Sequence, residues 1–413
     1  MLLIYKALSF LLLPFTIIIF YLHPRGRVSL MERLGIWPQI TEPVIWLHAA
    51  SIGEVNGLIP FINKIKQRDE NLKILMTTTS STGRDLANKF VDYALLAPFD
   101  NYLCLKLALR RIDIKLYIIA ETELWPNLIE ILAKKNIPVI IVNAIISDFT
   151  FNTYYLLKPL FRKVLNNLKF VFTSSNTSHA RFLALGVDIS KLKNFGNMKY
   201  DNIEVAKQAI QNSKLSKIVF KKSLKTIVLG SIRPGEEVVW FNALLKFPNK
   251  FNVIIAPRHP EKFDYFANEL KKYNIEFKRY SDITTSTAEI NSSFILLDQM
   301  GLLMNCYEIA DLAFVGATLI DKIGGHNPLE PAALSKWVVL GQYYSKVREL
   351  VNEMASQEAC TIIYTQKDIE NLLLKLLESD HALVYGKKSY EFYKSQIGAT
   401  EKVFGYLLQQ KVL

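Results

Sequence analysis

Apolar residues fall into two alternating patterns along this chain. From residue 44 onward, short apolar or β-branched runs recur: VIWLHAA (44–50), KILMTTT (73–79), KLYIIA (115–120), PVIIVNA (138–144) and KFVFTSS (169–175). Stretches of helical spacing lie between several of them. In one, Val55, Leu58, Ile59, Ile62 and Ile65 fall on a single helical face. Apolar runs without polar alternation read as strands buried on both faces, and their alternation with helices predicts a parallel sheet. Between residues 203 and 224 the pattern turns polar and lysine-rich. A second series then begins with KTIVLGS, FNVIIAP, SFILLD, LAFVGA, WVVLG and TIIYT. The expectation is two doubly wound α/β domains, 23–210 and 211–384, joined near residue 210. A helical segment over 385–413 is expected to pack back on the first domain.

The start of the chain differs. Residues 7–22, ALSFLLLPFTIIIFYL, carry no charge, and with MLLIYK before them the stretch is about long enough to span a bilayer. Pro14 kinks such a helix without forbidding it. Arg25, Arg27 and Arg33 follow, and positive charge on that flank predicts a body held in the cytoplasm. Residues 1–22 are therefore expected to be a membrane anchor. A cleaved signal peptide fits less well, because no small-residue cleavage site is present and the basic residues lie on the wrong side.

Composition narrows the partners. The chain has 413 residues, enough for two or three domains, and its charged fraction of 21% argues against extensive disorder. The formal net charge of +12 favours an anionic partner. No nucleic-acid-binding module is visible, which leaves the membrane and anionic small molecules. Cys104, Cys306 and Cys360 are scattered and give neither a disulfide framework nor a metal spacing. No His-Glu-x-x-His or Asp-x-Asp motif suggests a metal, and no Walker motif suggests a kinase or NTPase. No cofactor is expected.

In parallel sheets ligands bind beyond the carboxyl ends of strands, so residues just after strands carry the most information. After VIWLHAA comes Ser51-Ile-Gly-Glu54. This is a capping-box pattern, and it is also a carboxylate at the mouth of a sheet; both readings stand. After KLYIIA comes ETELWPN, with Glu121 and Glu123 beside Trp125 and Pro126. An acid near a helix start suits the macrodipole, and that explains one Glu more easily than two. Paired carboxylates can also divide acid–base labour. In the second series, LGSIRPGEE (229–237) offers Gly and Ser for close approach to a phosphate. APRHPEKF (256–263) puts Arg258 and His259 at a strand tip, where a guanidinium can grip phosphate. DQMGLL (298–303) follows the next strand. GGHNPLEPAAL (324–334) packs two glycines, a His, an Asn and a Glu before a predicted helix. Asn327 is expected to cap it, Pro328 to open it and Glu330 to complete a box, leaving its N-terminus as an anion site.

Together these segments resemble the 3-deoxy-D-manno-octulosonic acid (Kdo) transferases of lipopolysaccharide synthesis. The likeness runs in order along nearly the whole chain: the anchor and its basic flank, HAASIGE, TTTSSTGR, ETELWPNLI, FGNMKYD, SIRPGEE, APRHPEKF, DQMGLL, ADLAFVGATL and GGHNPLEPAA. The resemblance implies the GT-B architecture, two Rossmann-like domains with the site in the cleft between them. It implies inverting transfer of Kdo from CMP-Kdo to the lipid A precursor (lipid IVA) at the cytoplasmic face of the bacterial inner membrane. On this chain the family's general base falls on Glu54, and its transition-state helpers fall on Glu121 and Lys199. CMP contacts fall on Pro257 and Arg258, on Met300, Gly301 and Leu302, and on Asn327, Pro328, Leu329 and Glu330.

Three departures stand out. Leu302 occupies a position where the family usually has Glu, so only a backbone contact to CMP survives there. Ile145 replaces an Arg in NAIIS, which bears on acceptor handling. Ala317 replaces a usual Gly. The rival readings are another GT-B sugar-nucleotide enzyme, such as an epimerase or hexosyltransferase, and a catalytically inactive lipid-binding membrane protein of the same fold. An epimerase or hexosyltransferase needs neither the anchor nor the pairing of SIGE with ETELWPN, and the retained Glu54, Glu121, Lys199 and Arg258 weigh against an inactive protein.

Overall fold

The computed structural model describes residues 1–23, 26–27, 29–210, 224–283, 292–321, 323–378 and 380–413. Arg25 of the basic flank and residues 211–223 of the polar stretch lie outside the described residues. The chain forms two compact units, Met1–Asn202 with Ile397–Leu413, and Ile203–Gln396.

The first unit is built on seven strands: β1 (Pro43–His48), β2 (Lys73–Thr78), β3 (Tyr93–Leu96), β4 (Asp113–Ala120), β5 (Val139–Ala144), β6 (Phe170–Thr173) and β7 (Leu192–Asn194). They pair in parallel in the order β3-β2-β1-β4-β5-β6-β7. Chain direction across the sheet reverses between β1 and β4, and a reversal of this kind opens a crevice at the strand ends. Every residue of β5 is buried, as expected of a strand covered on both faces. One core gathers Trp37, Trp46 and Tyr117, with the Trp46 ring 5.5 Å from Trp37 and 4.6 Å from Tyr117. The other gathers Val55, Leu58, Ile62 and Ile65 of the helix Ile52–Arg68, as its spacing predicts, although Ile59 is only partly buried and Phe61 joins instead. Phe404 of the helix Ala399–Gln409 packs on Phe61 at 6.1 Å. Asp201 fastens this returning segment, since its carboxylate accepts the Gly398 and Thr400 N–H groups at 2.6 and 2.7 Å.

The second unit repeats the plan with β8 (Lys225–Ile232), β9 (Phe251–Pro257), β10 (Lys278–Arg279), β11 (Phe294–Leu296), β12 (Leu312–Val315), β13 (Trp337–Gly341) and β14 (Thr361–Ile363). All pairs are parallel, in the order β10-β11-β9-β8-β12-β13-β14. Here the reversal lies between β8 and β12. The runs read from the sequence each contribute a strand. Strands β3, β7 and β10 were not among them, because each is short and closes an open edge where little apolar surface is needed.

Candidate active site

The first unit collects its ionisable groups at the β1/β4 reversal. Ser51 caps the helix Ile52–Arg68, accepting the Glu54 N–H at 3.4 Å. The Glu54 carboxylate does not return to the Ser51 N–H, as a strict capping box would. It accepts the Ala50 N–H at 2.7 Å and the Ser51 hydroxyl at 3.0 Å. The side chain is thus pinned by two donors and only half-buried. Burial, and then the negative charge of Glu121, push its pKa above the usual carboxylate value, against the pull of these two hydrogen bonds.

Glu121 follows β4 with φ 58°, a left-handed backbone uncommon outside glycine, and its N–H is held by the Val142 carbonyl at 2.9 Å. Strain of this kind persists where surrounding structure enforces it. Lys199 reaches Glu121 in an ion pair. The Lys199 backbone is fixed by Asn197, whose side chain accepts its N–H at 3.0 Å, and by Asn143, which accepts the Met198 N–H at 2.9 Å. Glu54, Glu121 and Lys199, far apart in sequence, therefore meet beyond the carboxyl ends of β1 and β4.

Sequence reasoning missed His48. It ends β1, is 1% exposed, and its Nε2 lies 2.8 Å from Glu123 Oε2. Its Nδ1 lies 2.9 Å from Thr77 Oγ1, which already accepts the Trp46 indole N–H at 2.8 Å. A carboxylate oxygen only accepts, so the contact with Glu123 is made by Nε2–H; the Thr77 hydroxyl, which can donate or accept, then donates to Nδ1, and the Trp125 indole Nε1 lies 3.5 Å from the same Nε2. This ordering holds the second carboxylate of ETELWPN in place. The partners are 75 residues apart, and no local spacing announces them.

The second unit has its own cluster at the β8/β12 reversal. Glu236, fully buried, accepts four backbone N–H groups: Arg233 at 2.9 Å, Ala317 and Thr318 at 2.8 Å, and Leu319 at 2.9 Å. Burial raises its pKa while the four donors favour the charged form. Glu236 therefore clamps the loop after β8 to the loop after β12. In LGSIRPGEE, Gly230 makes room for the Tyr307 hydroxyl, and Ser231 is buried. Ala317 adopts φ 63°, the left-handed region that explains why a glycine suits this position.

Pro257 ends β9 buried, and Arg258 is exposed just beyond it. His326 sits in the field of Arg258, Arg233, Lys346 and His259. Burial and then these charges push its pKa down to about 4. Burial pushes Glu330 up to about 7, opposed by Arg258. His326 Nε2 and Arg233 Nε are buried without a hydrogen-bond partner among the described residues. Two unpaired buried polar groups inside a cationic cluster are what an anionic ligand would satisfy. Met300, Gly301 and Leu302 form a turn after β11. Met300 is 50% exposed, Gly301 has φ 85° with open space around it, and Leu302 begins the helix Leu303–Glu308.

One expectation about GGHNPLEPAAL needs correcting. Asn327 does accept the Leu329 N–H at 3.1 Å, but the helix is a single turn, Leu329–Ala332, preceded by Pro328 with no box to Glu330. Ser335, at φ 58°, turns the chain out of helix just before β13. So short a helix has little macrodipole, and the anion attraction here comes from side chains.

The matching family model is that of the 3-deoxy-D-manno-octulosonic-acid transferases (kdotransferases), over residues 28–202. A 3-deoxy-D-manno-octulosonic acid transferase of Haemophilus influenzae is 31% identical over 396 residues, covering 93% of this chain and 92% of that protein. A bifunctional glycosyltransferase/methyltransferase of Fusobacterium nucleatum is 34% identical over 319 residues, 76% of this chain, and this chain spans 49% of its length. Among solved structures, UDP-GlcNAc 2-epimerase from Neisseria meningitidis superposes with a TM-score of 0.62 at 13% identity, covering 89% of this chain and 100% of that one. At that identity the likeness is one of fold.

Proposed function

The chain belongs to the 3-deoxy-D-manno-octulosonic acid transferase family, and from that premise we propose that it transfers Kdo from CMP-Kdo to the lipid A precursor, with Glu54 as general base. An acceptor hydroxyl loses its proton to a Glu54 carboxylate oxygen as its own oxygen bonds to the anomeric carbon of Kdo. The bond from that carbon to the CMP phosphate breaks, and CMP leaves with its charge. A single displacement inverts the anomeric configuration.

The observation that carries this reading is the Glu54 carboxylate itself. It is pinned by Ala50 and Ser51, stays half-exposed at the sheet reversal, and has a raised pKa beside the Glu121–Lys199 pair. A base works best when its pKa is drawn toward the working pH and its position is fixed. On the donor side, Pro257, Arg258, the Met300–Leu302 turn and Asn327–Glu330 are the proposed CMP contacts, with Arg258 meeting the phosphate. The four cationic or imidazole groups acting on His326 support a charged donor. The helix Leu2–Leu22, with mean hydropathy 2.2, supports attachment to the inner membrane, the cytoplasmic side being the proposed location of the body.

Incubation with labelled CMP-Kdo and lipid A precursor tests the assignment. Kdo appearing on the lipid is the expected result. Transfer from UDP-sugars alone would assign the chain to another reaction.

A further inference from the structure

The helix Leu2–Leu22 is not equivalent around its circumference. Tyr5, Ser9, Leu13, Thr16 and Phe20 are partly covered, and they recur every three or four residues along its whole length. They form one stripe. Lys6, the one charged residue of the helix, and Ser9 and Thr16 all belong to the covered set. The positions between are aliphatic or aromatic, and Leu3, Leu11, Phe15 and Leu22 are 79, 65, 62 and 74% exposed.

This stripe is fastened to the first unit near both ends. At the start, the Tyr5 hydroxyl donates to Asp100 at 2.9 Å and Lys6 pairs with Glu130. The Asn101 amide donates to the Ser9 carbonyl at 2.9 Å, and the Asn127 amide to the Ser9 hydroxyl at 3.2 Å. At the other end, the Phe20 ring meets Phe99 edge-on at 5.1 Å, and the Arg33 guanidinium lies 5.0 Å over Phe20. Tyr5 and Phe20 are separated by a helical rise of about 22 Å. A helix crossing a hydrocarbon core of about 30 Å carries one end to the far interface. The contacts at its start would then drag Asp100 and Glu130 into the bilayer, at a cost of about 2.5 kcal/mol or more for a carboxylate near its centre.

We propose that this helix does not cross the bilayer but lies in the plane of one leaflet, with Met1 and the body on the same side. The proposal rests on the membrane attachment proposed above. The exposed apolar face sinks into the acyl–headgroup boundary of an anionic bilayer. Arg27, 6.0 Å from the Tyr21 ring, and Arg33 supply cations beside it. Asp100 ties this face to the site: it accepts the Asn127 and Leu128 N–H groups at 3.0 and 2.9 Å, at the start of the helix that follows Glu121–Trp125. The leaflet-bound face and the carboxylate loop are thereby held in one unit, close to an acceptor that resides in the same leaflet.

The test is the side on which the N-terminus lies. An epitope fused before Met1 of the full chain is treated with protease in intact spheroplasts and in inverted inner-membrane vesicles. The in-plane helix predicts an epitope protected in spheroplasts and cleaved in inverted vesicles. Cleavage in spheroplasts means a spanning helix and overturns the proposal, while membrane attachment stands. Recovery of the chain in the soluble fraction overturns both. A second measurement uses Ile4→Cys, Leu11→Cys and Ile18→Cys, each carrying a polarity-sensitive fluorophore, in vesicles of phosphatidylethanolamine and phosphatidylglycerol. Equal quenching depth at the three positions supports the in-plane helix; a maximum at position 11 with shallow ends contradicts it.

Discussion

Gly57 and Lys199 are fitted to each other: a Cβ on residue 57 would stand 3.0 Å from Lys199 Cγ. The lysine stem lies against a bare patch of the helix Ile52–Arg68 on its way to Glu121. A glycine inside a helix is destabilising by about 1 kcal/mol relative to alanine. Its presence here is explained by the lysine it admits, not by the helix.

Gly57→Ala is therefore expected to leave the melting temperature equal or higher while lowering the rate of Kdo transfer about tenfold, because Lys199 must shift. Thermal unfolding and initial rates on the same preparation check this. A variant with unchanged rate would show that the position of Lys199 is not critical.

The pH profile follows from Glu54. Its pKa is raised first by burial and then by Glu121, and the base acts only when ionised. Transfer should fall as pH drops through that raised value, on an acid limb displaced upward from that of an ordinary glutamate. Glu121→Gln removes the second cause and should move the limb to lower pH, besides lowering the rate. An acid limb that does not move would detach Glu121 from Glu54.

Arg258→Ala should weaken CMP binding about tenfold, as loss of a charge-assisted contact does. It should also raise the pKa values of His326 and Glu330, since Arg258 lowers both. Calorimetry and an NMR titration read the two effects. Unchanged CMP affinity would remove Arg258 from the donor site.

Glu236→Ala should destabilise the second unit by about 3 kcal/mol or more, leaving four backbone donors without their acceptor. Urea unfolding of the full chain measures this.

That last residue shows where the sequence stops being legible. Buried strands are recognisable because their apolar runs are continuous, and the chemistry-bearing loops follow from the rule that ligands gather at strand ends. Glu236 is not recognisable, because three of its four partners lie 81 to 83 residues away and nothing beside it predicts four N–H groups converging on one carboxylate. The His48–Glu123 pair is hidden for the same reason. The capping signals at Asn327 and Pro328 announce a helix without fixing its length, and the chain leaves it after one turn because β13 must begin at Trp337. The covered stripe of the first helix was legible in principle, from Lys6, Ser9 and Thr16 sharing one face.

The central claim is that Glu54 takes the acceptor proton. Glu54→Gln keeps an oxygen for the Ala50 N–H and removes the base, so the helix start survives. Measured with CMP-Kdo and lipid A precursor, this variant is predicted to transfer Kdo about a thousandfold more slowly, with CMP affinity and melting temperature near those of the parent. Transfer within a few-fold of the parent would contradict the account and leave Glu54 as a helix cap.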